Sequence, residues 1–213
     1  MACAPVSASS RSQIRSRVSP WLARASGEYM GTEPGTSFRR IVTGHDADRR
    51  SRIASDAPPV RVFDNLGEEG LVFHEVWNTR QTPAILDRND AEPAETHLLL
   101  APPPGGTRIR VLDIPPEQAG ADFDAVFDAI GGSDAHVGKT SNRHASFHRT
   151  RSIDYGILLS GSITLMMDEG ETIAHAGDII IQRGTNHGWI NRSGAPCRIA
   201  FILIDGVFDD DLA

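Results

Sequence analysis

Two separate stretches of the chain each carry a histidine followed by residues at even spacing. They are His148, Thr150 and Asp154 in the first stretch, and His187, Trp189 and Asn191 in the second. Side chains an even number of residues apart share one face of an extended strand. If the two stretches form neighbouring strands, they present two imidazoles and one carboxylate to the same space.

This donor set is typical of a metal centre. Two histidines and a carboxylate can form a facial triad, which leaves coordination positions open for substrate or dioxygen and suits non-haem Fe(II). The sequence therefore predicts that His148, Asp154 and His187 bind a divalent metal: Fe(II), Mn, Ni or Zn. Such a metal would polarise a carbonyl or enolate oxygen, or activate bound water or dioxygen. The pocket residues expected around it are Thr150, Trp189 and Asn191.

Two further residues are candidates for acting on a substrate. Tyr155 could supply a phenol for acid–base chemistry, and Arg183 could hold a substrate carboxylate in a bidentate pair. The alternatives are a tyrosine packed in the protein interior and an arginine in a surface turn. His136 and His144 could replace a missing metal ligand, or they could be solvated loop residues.

The first stretch resembles the first of the two cupin motifs, which commonly runs His-x-His, three or four residues, Glu, six residues, Gly. His148 and Gly161 match the first His and the Gly, while Asp154 stands at the Glu. Thr150 stands at the second His, and a hydroxyl is a weak ligand in place of an imidazole. The Asp154 side chain is also one methylene shorter than the usual Glu. For both reasons, the alternative is a polar, hydrogen-bonded pocket without metal.

The second stretch resembles the second cupin motif, which commonly runs Gly, five residues, Pro-x-Gly, two residues, His, three residues, Asn. Gly177, Gly184, His187 and Asn191 match, although the run before Gly184 is one residue shorter and lacks the Pro. More narrowly, the chain is similar to uncharacterised bacterial cupins and to fungal cupin-domain oxidoreductases encoded beside polyketide synthases. The resemblance implies a double-stranded β-helix, a small-molecule substrate and a homodimer.

The elements that must hold these residues are mostly strands. Runs with period-two alternation or β-prone composition, separated by glycine and proline turns, indicate an all-β jelly-roll barrel. The predicted strands are 41–44, 71–77, 107–112, 153–159, 162–167, 171–174, 178–182 and 198–204. Apolar residues at helical spacing in 123–130 predict one short helical insertion, for which Asp122 is a candidate N-cap.

Composition limits the remaining possibilities. The net charge of −7 disfavours nucleic acid as a partner, and no apolar run approaches the length of a membrane span. Residues 1–37 are rich in arginine and serine and are expected to be a disordered extension, with a transit peptide as the alternative; residues 38–213 form the predicted barrel domain. Of the two cysteines, Cys197 is expected to be a buried thiol, and a cytoplasmic location is expected.

Three functions follow from these observations. The first is a metal-dependent enzyme of oxidoreductase, isomerase or decarboxylase type that acts on a small oxygenated organic molecule. The second is a metal-free lyase, dehydratase or isomerase in which His148 or His187 is a general base. The third is a non-catalytic module that binds a small metabolite, because fold alone does not specify function.

Overall fold

Antiparallel strands dominate the structure, a computed structural model that describes residues 32–88, 90–93, 97–138 and 142–212. The strands are β1 (Arg40–His45), β2 (Ser51–Ala57), β3 (Arg61–Phe63), β4 (Val72–Thr79), β5 (Thr107–Ile114), β6 (Ser152–Ser160), β7 (Ser162–Met167), β8 (Glu171–His175), β9 (Ile179–Arg183), β10 (His187–Ile190) and β11 (Cys197–Asp205). The α-helix, α1, spans Phe123–Ala129, and a 3-10 turn spans Asp210–Leu212.

The strands form two sheets and a hairpin. One sheet has six strands in the order β3-β4-β5-β11-β6-β9, and the other has three in the order β10-β7-β8. Strands β1 and β2 pair separately as a hairpin. This arrangement confirms the predicted all-β cupin barrel with one short helix.

The core lies on the inward faces of the sheets. Along β6 the even-numbered residues from Ser152 to Leu158 are buried and the odd-numbered ones are more exposed, as the two-residue period of a strand requires. Leu158, Ile163 and Ile199 are almost completely buried in one hydrophobic cluster. The buried free thiol of Cys197 belongs to the same cluster, in agreement with its prediction; Cys3 lies outside the described residues.

Helix α1 closes one side of this core. The Asp122 carboxylate accepts a hydrogen bond of 3.0 Å from the Ala125 backbone N–H, which confirms the predicted N-cap. Val126 and Phe127 are buried against the barrel strands. The helix therefore supplies a rigid apolar wall to the interior.

The last residues before β1 contact the barrel. Residues 1–31 of the expected extension lie outside the described residues. The predicted boundary at residue 37 stays a prediction; the Gly35 N–H donates to Asp113, and the Thr36 carbonyl accepts from Arg198. Arg198 and Asp113 form a buried bidentate pair, which holds residues 35–36 against the outer face of the sheet.

Within the described ranges, no helix is long and apolar enough to cross a membrane.

Candidate functional site

The two histidines singled out in the sequence meet inside the barrel. His187 begins β10, and His148 lies shortly before β6. Their backbones form a reciprocal antiparallel bridge, with N–H to carbonyl distances of 2.8 and 3.0 Å. Their ring centroids are 4.2 Å apart.

Both rings are fixed through the same nitrogen. The Nδ1 atom of His148 lies 2.9 Å from the Ser146 carbonyl, and that of His187 lies 3.0 Å from the Thr185 carbonyl. A carbonyl oxygen only accepts hydrogen bonds, so each Nδ1 carries the proton. A neutral ring then has an unprotonated Nε2 with a free lone pair.

Burial keeps the two rings neutral. It lowers the pKa of His187 to about 4, a shift that its hydrogen bond to the Thr185 carbonyl opposes. Burial and then the neighbouring His187 ring lower the pKa of His148 well below its usual value. At neutral pH the pair therefore offers two unprotonated Nε2 atoms, which can accept a proton or ligate a metal.

A cavity of about 310 Å³ opens in front of the pair. This volume suits a small organic molecule. Most of its surface is aromatic or aliphatic. The aromatic residues in its wall are Phe73, Phe123, Phe127, Trp189 and Phe201.

The predicted pocket residues all reach this cavity, with different roles. Thr150 is buried, and its hydroxyl accepts a 2.9 Å hydrogen bond from Ser152. Trp189 packs its ring edge-on against His187, with centroids 5.6 Å apart. The Asn191 amide donates to the Ile114 and Ala195 carbonyls, so it holds backbone segments together at the cavity wall.

Asp154 brings a buried carboxyl group to the same cavity. Its residue is only 6% exposed, and Oδ1 has no hydrogen-bond partner among the described residues. Burial raises the pKa of Asp154 to about 6, while a hydrogen bond with Ser152 and the positive charge of Arg110 oppose the rise. The carboxyl can therefore gain and lose a proton close to neutral pH.

The donor set does not assemble as a three-residue metal centre. In the part of the chain that the structure describes, no three His, Cys, Asp or Glu side chains lie close enough together to hold a metal ion. His148 and His187 supply two nitrogen donors, and Thr150 occupies the position where a third would stand. Asp154 is fixed within β6, opposite Leu203 and Gln182, and its side chain is one methylene shorter than glutamate. These residues do not fit the predicted triad.

The two histidines considered as replacement ligands are already engaged. His136 has one ring nitrogen 2.6 Å from the Ala145 carbonyl and the other 3.2 Å from the Asp124 carboxylate. His144 contacts the Ser146 hydroxyl at 2.8 Å and the Glu117 carboxylate at 3.3 Å. His144 does line the cavity, but beside Phe123 rather than beside the histidine pair.

The structure does not bring Tyr155 or Arg183 to the cavity. Tyr155 is an odd-numbered residue of β6, so it faces away from the interior that Asp154 faces. Arg183 is exposed at the end of β9, opposite Ile153 on the same outer face. The proposed roles of these two side chains in orienting substrate there do not fit these positions.

Arg110 is a cavity residue that the sequence interpretation missed. The alternation in 107–112 predicts a half-buried strand, yet Arg108 and Arg110 are only 1% and 2% exposed. Glu75 on β4 lies 2.6 Å from Arg108 and 2.9 Å from Arg110, so its single carboxylate is shared by the two guanidinium groups. The sequence signal for this burial was Glu75, an acidic residue among the apolar positions of 71–77.

Fold and site together define a cupin, and comparison with known proteins agrees. The Cupin_2 model, described as "Cupin domain", matches residues 135–204, which include both histidines. The chain belongs to the cupin family.

Particular relatives give more detail. The chain is 42% identical over 191 residues to the cupin-domain-containing oxidoreductase srdD of Neurospora crassa, across 84% of this chain and 82% of the relative. It is 30% identical over 174 residues to the cupin-domain-containing oxidoreductase fogC of Aspergillus ruber, across 78% and 71%. A solved cupin 2 conserved barrel domain protein from Salinispora arenicola is 12% identical with a TM-score of 0.36, across 66% of this chain and 82% of that one, too distant a likeness to bear on function.

Proposed function

We propose that this cupin is an enzyme that moves a proton on a small, oxygenated, largely apolar organic molecule. The observation that carries the proposal is the pair of neutral imidazoles, each held by a carbonyl at Nδ1 and therefore able to accept a proton at Nε2. The mainly apolar cavity in front of them would enclose the substrate and exclude water.

The proposed step is proton abstraction from a carbon next to a carbonyl group. Nε2 of His148 or His187 takes the proton, and the electron pair of the C–H bond moves to form an enolate. The Asp154 carboxyl, with a pKa of about 6, donates a proton to the enolate oxygen or to another carbon. Return of the proton to a different carbon gives isomerisation, and departure of a leaving group gives elimination.

Hydrogen exchange tests this proposal without knowledge of the natural substrate. The probe is para-hydroxyacetophenone, whose methyl hydrogens exchange with solvent only through an enol or enolate. In deuterium oxide we expect the protein to speed deuterium uptake into the methyl group. Mass spectrometry measures this uptake. His148→Ala and His187→Ala should each lower the rate at least tenfold, since general-base catalysis contributes two to four orders of magnitude.

The exposed His175 provides a matched control, because it lies on β8 outside the cavity. His175→Ala should retain the wild-type rate. Equal rates for wild type and both cavity variants would refute proton transfer by the pair.

A metal-dependent oxidoreductase is the second candidate. It is favoured by the names of the two relatives and by the two free Nε2 atoms, which are half of a four-ligand set. Substrate or solvent would have to supply the ligands that the chain does not. Elemental analysis after loading with Fe(II), Mn(II), Ni(II) or Zn(II), with His187→Ala as control, tests it; stoichiometric metal that the variant loses would favour this candidate, as would exchange that a chelator abolishes.

A further inference from the structure

A carboxylate that the histidine pair does not account for lines the same cavity. Glu68 is 8% exposed and contributes to the cavity wall. Among the described residues, no hydrogen bond or ion pair to the Glu68 carboxylate is found, and its oxygens stay accessible from the cavity. Burying a carboxylate in this way is costly unless something compensates it.

The surroundings of Glu68 increase that cost. Burial, together with the like charge of Glu117, raises the pKa of Glu68. Glu117 itself contacts the ring of His144 at 3.3 Å. The end of the cavity therefore holds one satisfied carboxylate and one that lacks a donor.

Helix α1 sets the separation between this end and the histidine pair. His144 packs against Phe123, with ring centroids 5.3 Å apart, and His148 packs against Phe127 at 5.2 Å. Phe123 and Phe127 are four residues apart in the helix, a rise of about 6 Å. The two polar ends thus flank an apolar wall about one helical turn long.

We propose that Glu68 is a specificity-determining residue that accepts a hydrogen bond from a donor group on the substrate. This inference rests on the proposed function, in which the histidine pair meets the oxygenated end of the molecule. The substrate class is then a small molecule with an apolar body and a hydroxyl or ammonium group away from its reacting end. A buried acceptor left unpaired by the wrong molecule discriminates strongly against it.

Three matched probes test the role of Glu68: para-hydroxyacetophenone, para-aminomethylacetophenone and para-methylacetophenone. The first two carry a donor, and the third has a methyl group of similar size. Binding to the full chain is measured by NMR titration at neutral pH. We expect wild type to bind at least one donor probe about tenfold more tightly than the methyl probe, the size expected for a hydrogen bond to a charged acceptor.

Glu68→Leu should remove this preference, and Glu69→Gln should keep it, because Glu69 is the exposed neighbour outside the cavity. A larger gain for the amine identifies the donor as a cation, and a larger gain for the phenol identifies it as a hydroxyl; both support the proposal. A preference that survives in Glu68→Leu, or no preference in wild type, overturns it.

Thermal unfolding supplies an independent readout. A structural residue would lower the unfolding temperature when replaced, whereas removal of an unpaired buried carboxylate should leave it unchanged or raise it. Loss of stability in both Glu68→Leu and Glu68→Gln therefore also counts against the proposal. Binding needs no turnover, so probes that bind through Glu68 but exchange no hydrogen refute the proposed function and leave this inference standing.

Discussion

At the scale of residues, the pKa of the Asp154 carboxyl group is the property through which the environment of the cavity is most easily measured. Its pKa of about 6 in the folded protein exceeds its ordinary value of 3.8 because of burial. The protonated form is therefore favoured in the folded state relative to the unfolded state. Its stabilising contribution is fully present below pH 4 and is lost as the pH rises through 6.

The Asp154→Asn variant should isolate this effect. The amide stays neutral, so the variant should gain stability over wild type as the pH rises from 4 to 7. The pKa difference corresponds to a change of roughly 3 kcal/mol in relative unfolding free energy. Urea unfolding at a series of pH values measures it; a difference between the two proteins that does not vary with pH would contradict the assigned environment.

At the scale of residues, the sequence predicted part of the cavity lining. It missed Arg110, and it expected Tyr155 and Arg183 to act on a substrate that their side chains do not reach. The strand period placed His148, Asp154 and His187 on inward faces correctly, because alternation is a local property. Tyr155 follows directly after Asp154, and the same alternation places it outside. The distance from Asp154 to the imidazoles depends on the register of β6 against β9 and β11, which no local pattern reports.

At the scale of elements, β4 and β5 hold a buried network of charges. Glu75 sits between Arg108 and Arg110, and all three are nearly inaccessible to solvent. The network fixes Arg110 at the cavity wall and explains why β5 tolerates charges on an inward face. Such an arrangement depends on a pairing across strands, so the pattern of β5 alone predicted only half-burial.

The Glu75→Gln variant should be strongly destabilised. It removes the carboxylate shared by two buried guanidinium groups, and breaking a buried ion pair typically costs 3–5 kcal/mol. Glu171→Gln is the matched control, since Glu171 pairs with Arg192 at 2.9 Å on the surface, where both side chains are about half exposed. Its expected cost is under about 1 kcal/mol. Equal losses for the two variants in urea unfolding would be inconsistent with the buried network.

Gly188 marks a close contact between elements beside the histidine pair. A Cβ added there would lie 2.6 Å from the Phe147 ring and 2.9 Å from the Ser146 hydroxyl. Gly188→Ala should therefore destabilise the protein by about 1–3 kcal/mol through overpacking. Gly206→Ala is the control, because its nearest neighbour would be 3.8 Å away; a variant at 188 as stable as the one at 206 would show that the contact is not tight.

At the scale of the whole molecule, the cupin resemblance leads us to expect a homodimer, which stays a prediction. The edge strand β9 carries Ile179 and Ile181 on its outer face, where they are 65% and 53% exposed. An exposed apolar edge strand favours pairing with another chain. These two isoleucines are the positions at which pairing is best tested.

The double variant Ile179→Lys with Ile181→Lys should shift the protein from dimer to monomer in sedimentation equilibrium, because a charged edge resists pairing. Leu86→Lys changes a highly exposed loop residue outside the sheets and should keep the dimer. A wild-type protein that sediments as a monomer would contradict the expectation.

The central claim is that His148 and His187 are both neutral at pH 7, with the proton on Nδ1 and the lone pair on Nε2. Nitrogen-15 NMR of the histidine side chains tests it most directly, with signals assigned through His148→Gln and His187→Gln. We predict two rings with a protonated Nδ1 and an unprotonated Nε2, unchanged between pH 8 and pH 5.5. A ring that is charged at pH 7, or that carries its proton on Nε2, would contradict the account.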